Sequence, residues 1–272
     1  MINSDKFITK LRALGVVEAD IKDLFNYRYH IDYNKILMGQ LFMMPNKADD
    51  DLEIIARNFP IAYLIGFVNF YGLKINVNPN VLIPRPETEE LMEIINKRQK
   101  NTLIHTALDL CTGSGCIALS LKKMFPKATI YASDISYKAL MVGQVNAEEN
   151  KLEINLALSN FLDYFVKHQM KFDLIVSNPP YIKEGELLDA SLEYEPKEAL
   201  YSGQDGLNAF YSIFSNLDKV LSPHGVAYFE FEASNKEATL ILARELLKAY
   251  EIEVIKDMEN KDRFLFVKRR KI

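Results

Sequence analysis

A short Asn-Pro-Pro-Tyr turn carries the side chains of this sequence that are best placed to do chemistry. It follows the largely apolar run Phe172–Val176, which predicts a strand buried on both faces of a sheet. Pro179 and Pro180 have no backbone N–H, so strand pairing must end there, and each proline keeps the preceding residue extended. The stiff turn fixes the Asn178 amide and two proline carbonyls beside the Tyr181 ring. It could therefore grip a planar group with N–H donors, such as an amide or an exocyclic amine; a rigid exit turn with Asn178 as a backbone cap is the alternative.

A loop with two glycines follows another predicted strand and reads Cys-Thr-Gly-Ser-Gly. Gly113 and Gly115 allow a sharp turn and a close approach of the backbone to a ligand. Asp134 ends the next predicted strand about 20 residues further on, where an acid accepts hydrogen bonds from nucleotide ribose. Cys111 and Cys116 replace two glycines of the dinucleotide fingerprint. We therefore expect a nucleoside without a pyrophosphate, such as S-adenosylmethionine; a plain strand-to-helix turn with Asp134 as a helix N-cap is the alternative.

The composition excludes several classes of protein. The 272 residues carry 33 basic and 37 acidic side chains and have a pI near 5.7, whereas a general nucleic-acid-binding protein usually has a basic surplus, so only a local basic patch is left open. No apolar run approaches the ~20 residues of a membrane helix, and the N-terminus lacks the pattern of a signal peptide. Cys111 and Cys116 suit a reducing cytosol and form no metal-ligand pattern. We expect a cytoplasmic protein without a metal site.

The elements that must position these residues follow from apolar periodicity. Residues 1–65 predict a small helical bundle, with Ser4 capping the first helix and Gly15 just past its end. The exposed face of this bundle could dock a substrate protein or be merely solvated. Its other helical stretches are Ile21–Tyr29, Ile36–Met43 and Leu52–Phe59.

The rest of the chain predicts an α/β fold. Residues 66–83 predict a β-hairpin linker, and residues 84–272 predict a domain with a mostly parallel sheet, because strands and helices alternate. The predicted strands begin near Thr102, Ala128, Leu152, Phe172 and Val226. One predicted helix begins near Glu87. Four further helices are predicted at 117–125, 137–149, 207–221 and 236–250. Segments 251–255 and 263–268 predict an antiparallel hairpin at the sheet edge.

Taken together, the motifs resemble those of the HemK/PrmC family, the release-factor glutamine methyltransferases. The resemblance extends over nearly the whole chain. Its Ile-Pro-Arg-Pro-x-Thr-Glu segment is far more specific than the Asn-Pro-Pro-Tyr turn, which adenine-N6 nucleic-acid methyltransferases share. The matching stretches are 63–66, 82–89, 109–115, 134–136, 178–181, 194–196 and 203–207.

This resemblance implies a class I, Rossmann-like domain that uses S-adenosylmethionine, preceded by a helical domain that helps to hold the release factor. The implied reaction methylates the side-chain nitrogen N5 of the glutamine in a Gly-Gly-Gln loop, with no membrane and no direct nucleic-acid partner. Asp134 would hold the donor's ribose, and Asn160 and Phe161 would lie at its adenine. The other implied donor-binding residues are Cys111, Thr112, Gly113, Ser114, Gly115 and Asn178.

Three positions depart from the family pattern. Cys111 stands at a usual glycine, a position that tolerates a small residue if φ is negative there. Asn160 stands where an acid is common. Glu232 stands where glycine is frequent.

The chemistry expected of the turn is positioning of a poor nucleophile, because the lone pair of an amide nitrogen is delocalised. The Asn178 oxygen and the Pro179 carbonyl would accept the two N–H bonds of the substrate amide, while Pro180 and Tyr181 pack against its plane. No general base is expected. The alternatives are a glutamine methyltransferase of a ribosomal protein, an adenine-N6 nucleic-acid methyltransferase, and a non-enzymatic assembly factor that binds S-adenosylmethionine.

Residues 182–205 lack a clear helical or strand period and are rich in acidic side chains. Loops of this length in a compact domain are usually functional or disordered. We expect an acidic lip that faces a basic release-factor loop; a solvated acidic loop is the alternative.

Overall fold

The computed structural model describes residues 2–270. Short helices form a bundle ahead of residue 66, as predicted. Phe7, Phe25 and Tyr29 pack edge to face in its core, with ring centroids 5.5–5.9 Å apart. The helices are α1 (Ser4–Ala13), α2 (Glu18–Asp23) continued by a π-helical turn (Leu24–Arg28), α3 (Tyr33–Leu37), α4 (Lys47–Ile55) and α5 (Ile61–Ile65).

Details of the bundle differ from the prediction. Asn3, not Ser4, caps α1, and its Oδ1 accepts the Lys6 N–H at 3.0 Å. The Ser4 side chain is buried, and its hydroxyl oxygen accepts the Phe42 N–H at 3.3 Å. Helix α3 ends at Leu37 rather than near residue 43, because Gly39 follows in the left-handed region at φ 89°. Helix α4 occupies 47–55 rather than 52–59.

A β-hairpin follows the bundle, as predicted, with strands β1 (Phe67–Phe70) and β2 (Leu73–Asn76). Its side chains Phe70 and Ile75 are buried in the core of the α/β domain, whereas the bundle has a core of its own. The hairpin is therefore packed onto the α/β domain, and this separation of cores supports the boundary that we propose at residue 65.

Beyond the hairpin lies a seven-stranded sheet with the order β5-β4-β3-β6-β7-β9-β8. Strands β3 to β7 are mutually parallel and β9 is antiparallel to both neighbours, which confirms the predicted α/β fold with an antiparallel edge hairpin. The elements are α6 (Pro86–Gln99), β3 (Thr106–Leu110), α7 (Cys116–Met124), β4 (Thr129–Asp134), α8 (Tyr137–Asn150), β5 (Asn155–Leu158), α9 (Asp163–Lys167), β6 (Phe172–Ser177), α10 (Lys197–Leu200), α11 (Asn208–Val220), β7 (Leu221–Glu230), α12 (Lys236–Leu246), β8 (Tyr250–Lys256) and β9 (Asp262–Arg269).

The sheet is buried on both faces. Along β6, Leu174 and Val176 pack on the side of α6, α7 and α8, while Phe172 and Ile175 pack on the side of α9, α11 and α12. The strand order reverses between β3 and β6. In an open α/β sheet, ligands bind at such a reversal, outside the carboxyl ends of the strands.

The remaining differences lie at element ends, in the long loop and in α9, a short helix that was not predicted. Strand β3 begins at Thr106 rather than near residue 102, β5 at Asn155 rather than near 152, and β7 at Leu221 rather than near 226. Residues 182–205 contain a 3₁₀ turn (Ala190–Tyr194) and α10, which are too short for apolar periodicity to reveal. Among residues 2–270, no helix has the length and apolar character needed to cross a membrane.

Candidate active site

A cavity of about 340 Å³ opens where the strand order reverses. Four consecutive parallel strands supply its floor through Cys111 after β3, Asp134 at the end of β4, Ser159–Phe161 after β5 and Asn178 after β6. These are four motifs singled out in the sequence, and the fold brings them to one edge of the sheet. Its volume lies in the range of small-molecule sites, about 300–1,000 Å³.

Asp134 holds the glycine loop against the start of α8. One carboxylate oxygen accepts the Gly113 N–H and the other accepts the Ser136 N–H, both at 2.9 Å. Burial raises the pKa of Asp134, and these backbone N–H groups act against that rise. The N-cap of α8 is Ser136, whose hydroxyl accepts the Ala139 N–H, so Asp134 is not the helix cap. Its carboxylate lines the cavity and keeps lone pairs for ligand hydroxyls.

The two loop glycines serve different purposes. Gly113 lines the cavity at φ 53°, and a Cβ atom there would find no neighbour within 4 Å, so the space above its backbone is open to a ligand. Gly115 does not line the cavity. A Cβ atom at Gly115 would lie 3.3 Å from the Cα atom of Gly143, so this glycine allows α7 and α8 to pack closely.

Two predicted donor-binding residues of the loop, Thr112 and Ser114, are buried and do not line the cavity. The Thr112 hydroxyl donates to Asp109, and the Ser114 carbonyl accepts the Asn146 side-chain N–H at 2.8 Å. These two residues shape the loop, whereas Cys111 and Gly113 form its exposed face.

Cys111 has a φ of 62°, so the condition under which a small residue is tolerated at this usual glycine is not met. The residue lines the cavity in the left-handed region that glycine favours, and Phe161 at φ 45° is a second such residue at the same cavity. A side chain in this region costs about 1–2 kcal/mol, and strain of this kind gathers at functional sites. Burial raises the pKa of the Cys111 thiol, so it is neutral rather than a reactive thiolate.

The loop after β5 forms the far wall of the cavity. The Ser159 hydroxyl donates to the Phe161 carbonyl at 2.7 Å and accepts the Tyr164 N–H at 3.1 Å, which holds the loop in shape. Asn160 and Phe161, the residues predicted to lie at the adenine, both line the cavity, and Asn160 is exposed at the surface. Ser159 is a lining residue that was not predicted.

Asn178 lies between this cavity and a second one of about 320 Å³. Pro180 lines the first cavity and Tyr181 lines the second, while Pro179 is buried. The Asn178 side-chain nitrogen donates to the Thr88 hydroxyl at 3.2 Å, so its oxygen is left to face the cavities. The turn thus presents one amide oxygen where two binding spaces meet.

Contacts from later in the chain hold the turn in place. The Tyr181 carbonyl accepts the Asn235 side-chain N–H at 2.8 Å. Gly206 packs on the same carbonyl so closely that a Cβ atom would lie 2.4 Å from the oxygen. Burial raises the pKa of the Tyr181 phenol, so this ring remains neutral.

Residues 194–196 anchor the long loop over the site. Glu195 is buried, pairs with the Arg85 guanidinium and accepts the Ile83 N–H at 3.0 Å. Tyr194 donates to the Arg57 carbonyl at 2.9 Å and packs on Phe59, which joins the loop to the helical bundle. The motif containing Tyr194 was recognised in the sequence, but nothing there indicated that these residues tie three parts of the chain together.

Some of the acidic residues of the long loop line the two cavities. Glu184 lines the first cavity, Glu186 lines the second, and Asp189 is exposed nearby in sequence. Glu195 belongs to the buried ion pair instead and is no part of an exposed lip. Within residues 2–270, no cluster of three or more histidine, cysteine or acidic side chains is arranged to hold a metal ion.

Other residues that line the cavity were not predicted as site residues. Some of them flank the strand ends, and others come from loops that fold over the cavity from distant parts of the chain. Only those in or near the motifs 82–89, 109–115, 134–136, 194–196 and 203–207 carried any signal in the sequence. These unpredicted lining residues are 80–82, 110, 133, 135–136, 139, 196, 198–199, 201–203 and 208–209.

The sheet order, the glycine loop and the acid at the end of β4 define a class I methyltransferase. Residues 87–194 match the family described as Methyltransferase small domain. The structure is similar to that of a methyltransferase from Pyrococcus furiosus, with a TM-score of 0.52 and 20% identity, covering 74% of this chain and 90% of that chain. A ribosomal protein L11 methylase from Lactobacillus delbrueckii subsp. bulgaricus matches with a TM-score of 0.50 and 21% identity, covering 68% of this chain and 79% of that chain. At these identities the likeness establishes the fold.

Curated relatives with higher sequence identity identify the family and not only the fold. The release factor glutamine methyltransferase of Flavobacterium psychrophilum is 41% identical over 272 aligned residues, covering 91% of this chain and 93% of the relative. That of Thermodesulfovibrio yellowstonii is 40% identical over 229 residues, covering 81% of this chain and 80% of the relative. The chain belongs to the release factor glutamine methyltransferase family, which confirms the resemblance seen in its motifs.

The left-handed backbone at Cys111 predicts an unusual order of stability between two variants. Cys111→Gly and Cys111→Ala both remove the thiol, but only glycine relieves the strain. We therefore expect the free energy of unfolding, measured by urea titration, to be about 1 kcal/mol higher for Cys111→Gly than for Cys111→Ala. At most helical or strand positions glycine is the less stable of the two, so an alanine variant of equal or greater stability would contradict the strain.

Proposed function

We propose that this protein binds S-adenosylmethionine in the first cavity and methylates the glutamine of the Gly-Gly-Gln loop in peptide-chain release factors. The observation that carries the proposal is the position of Asn178, whose amide oxygen lies where the two cavities meet. One cavity would hold the donor and the other the protein substrate. Family membership supports the same activity.

The first cavity suits the donor because it combines an acid with an open backbone. Asp134 would accept hydrogen bonds from the ribose hydroxyls, and the open space over Gly113 would admit the donor's chain against the backbone. Phe161 and Asn160 would flank the adenine. When bound, S-adenosylmethionine supplies an electrophilic methyl group attached to its sulfonium.

The second cavity would receive the glutamine side chain, because the turn places Asn178 at its edge. The Asn178 oxygen and the Pro179 carbonyl would each accept one N–H of the amide and hold its nitrogen about 3–3.5 Å from the carbon it attacks. As the nitrogen becomes tetrahedral its protons become more acidic, so these hydrogen bonds strengthen in the transition state. Tyr181 would pack on the amide plane. The proton can leave to solvent after transfer, so no carboxylate is assigned as a base.

Asn178→Ala should abolish methylation while leaving donor binding within about twofold, because Asn178 acts on the substrate amide. The test incubates labelled donor with release factor, ribosomes or DNA in parallel. We expect label only in the release factor, and a variant rate at least ~100-fold below that of the native enzyme, since one preorganised contact has about that effect. Label in ribosomes or DNA instead would overturn the proposed substrate. A variant with more than about a tenth of native activity would overturn the role of Asn178.

Asp134→Ala should weaken donor binding by about ten- to a hundredfold, since it removes a charge-assisted hydrogen bond of roughly 1.5–3 kcal/mol. Calorimetry with S-adenosylmethionine measures this loss directly. Asp134→Asn is the matched control, because one oxygen can still accept the Gly113 or Ser136 N–H and hold the loop. Unchanged donor affinity in Asp134→Ala would refute the ribose contact. A loss of affinity in Asp134→Ala that Asp134→Asn does not share would show that the carboxylate only organises the backbone.

An acidic lip should attract a basic release-factor loop mainly by raising the association rate, and salt screens such attraction. We therefore expect KM for the intact release factor to rise as ionic strength increases to ~0.5 M, while KM for a short neutral Gly-Gly-Gln peptide changes much less. Neutralising Glu184, Glu186 and Asp189 together should reduce the dependence of this KM on ionic strength. The matched control neutralises three exposed acids elsewhere, Glu153, Glu245 and Glu251. Equal salt responses in the two triple variants would refute the lip.

A further inference from the structure

We propose that Thr88 and Glu230 are positioning residues that set the polarity of the Asn178 amide, so that its oxygen and not its NH₂ group meets the substrate nitrogen. The inference rests on the proposed function of Asn178. It concerns two residues that line neither cavity at Asn178 and that the sequence did not assign to the site.

The three residues form a chain of hydrogen bonds. The Asn178 Nδ2 atom donates to the Thr88 hydroxyl at 3.2 Å, and the Thr88 hydroxyl donates to the Glu230 carboxylate at 2.8 Å. Thr88 and Glu230 are each only 2% exposed. The chain is therefore closed to solvent at its far end and reaches the cavities only through the Asn178 side chain.

The fold brings these residues together from separate elements. Strands β6 and β7 are parallel and pair Ser177 with Phe229, so the following residues, Asn178 and Glu230, lie side by side at the same edge. Thr88 lies in the first turn of α6, which begins at Pro86. The Ile-Pro-Arg-Pro segment thus places a hydroxyl between two strand ends.

The charge of Glu230 decides which way the amide faces. An ionised carboxylate can only accept, so the Thr88 O–H must point to it and the Thr88 oxygen must accept from the Asn178 NH₂ group. The Asn178 oxygen is then free for a substrate N–H. A protonated Glu230 could instead donate to Thr88, whose O–H would turn to the Asn178 amide and favour the flipped orientation. The flipped amide would present NH₂ to NH₂, which supports no hydrogen bond.

Several charged groups surround Glu230. Arg263 on β9 and Arg85 ahead of α6 favour its ionised form, while Glu87 on α6 opposes it. The neutral Tyr181 phenol and Cys116 thiol also face it. Burial acts in the same direction as Glu87 and outweighs the two arginines, so the pKa of Glu230 is raised to about 7. The polarity of Asn178 should therefore change near neutral pH.

The kinetic test compares pH profiles. The native enzyme should show a kcat that rises by about an order of magnitude from pH 5.5 to 8, as the ionised fraction of Glu230 rises. Glu230→Gln should lose this rise, because its amide does not titrate. Asp109, whose pKa burial also raises to about 7, is present in both proteins and cannot account for a difference between them. Identical profiles would overturn the proposal.

Thr88→Val tests the link itself. It should lower kcat by about ten- to a hundredfold, because a misplaced catalytic group has effects of that order, while KM for the release factor and donor affinity stay within about twofold. Thr88→Ser should restore kcat. If the valine variant, shown to be folded by its thermal transition, keeps more than about half of the native kcat, the link is not used.

Stability measurements separate this role from a structural one. A buried carboxyl with a raised pKa stabilises the fold below its unfolded pKa and loses that contribution as pH rises toward 7. The native protein should therefore lose thermal stability relative to Glu230→Gln between pH 5 and 8. A shift in stability without the kinetic difference would show that Glu230 matters only to folding, and the proposal would fail.

A spectroscopic measurement tests the orientation of the Asn178 amide without relying on methyl transfer. The side-chain amide signal of Asn178, assigned by its loss in Asn178→Ala, should move with pH around a midpoint near 7 in the native protein and stay fixed in Glu230→Gln. If release factor is not methylated but this signal titrates as expected, the proposed substrate is wrong and the polarity control stands. If methylation occurs but the signal is the same in both proteins, the control is wrong.

Discussion

The whole site depends on one constraint, that parallel strands whose helices leave on opposite faces must open a crevice where the strand order reverses. Here the reversal lies between β3 and β6, and the carboxyl ends of β3 to β6 deliver Cys111, Asp134, Ser159 and Asn178 to one edge. Each strand is fixed along its length by side chains packed on both faces. The positions of the polar groups at its end are therefore set by the packing of the apolar residues before them.

Backbone strain and buried carboxyl groups both occur at this edge. Cys111 and Phe161 have left-handed backbone, and Asp109, Asp134 and Glu230 are carboxyls whose pKa burial raises. Such features oppose folding, so the rest of the domain must over-determine them. The continuous apolar core on both faces of the sheet provides that surplus. Rigidity at the site suits a reaction whose difficulty is to hold an amide nitrogen at the correct distance.

Much of this could be predicted from the sequence because its signals are local. The buried run before the turn, the two glycines and the acid at the end of β4 each lie within a few residues of the element they terminate. The alternation of strands and helices indicated the fold, and the motifs indicated the family. What could not be predicted depends on backbone angles or on partners distant in sequence. The φ of Cys111 is one such backbone angle, and the residue type does not determine its sign.

The pairing of Thr88 with Asn178 and Glu230 is likewise a product of three elements meeting in space, as is the anchoring of Tyr194 on Arg57. The short helical turns of the long loop escaped prediction because four or five residues do not make a period. Asn3 and Ser4 are both competent caps, and only the packing of Ser4 against the Phe42 backbone decides between them.

Gly206 shows how far the tolerance of the site to substitution extends beyond the groups that touch a ligand. The Tyr181 carbonyl occupies the place where any side chain at position 206 would begin. A methyl group there would force the carbonyl away from Asn235 and rotate the peptide at the end of the Asn-Pro-Pro-Tyr turn. Among relatives of this fold, a larger residue at that position would therefore have to be accompanied by a shifted turn. The residues tolerated at position 206 are thus limited by the geometry of the turn that carries Asn178, although glycine itself has no functional group.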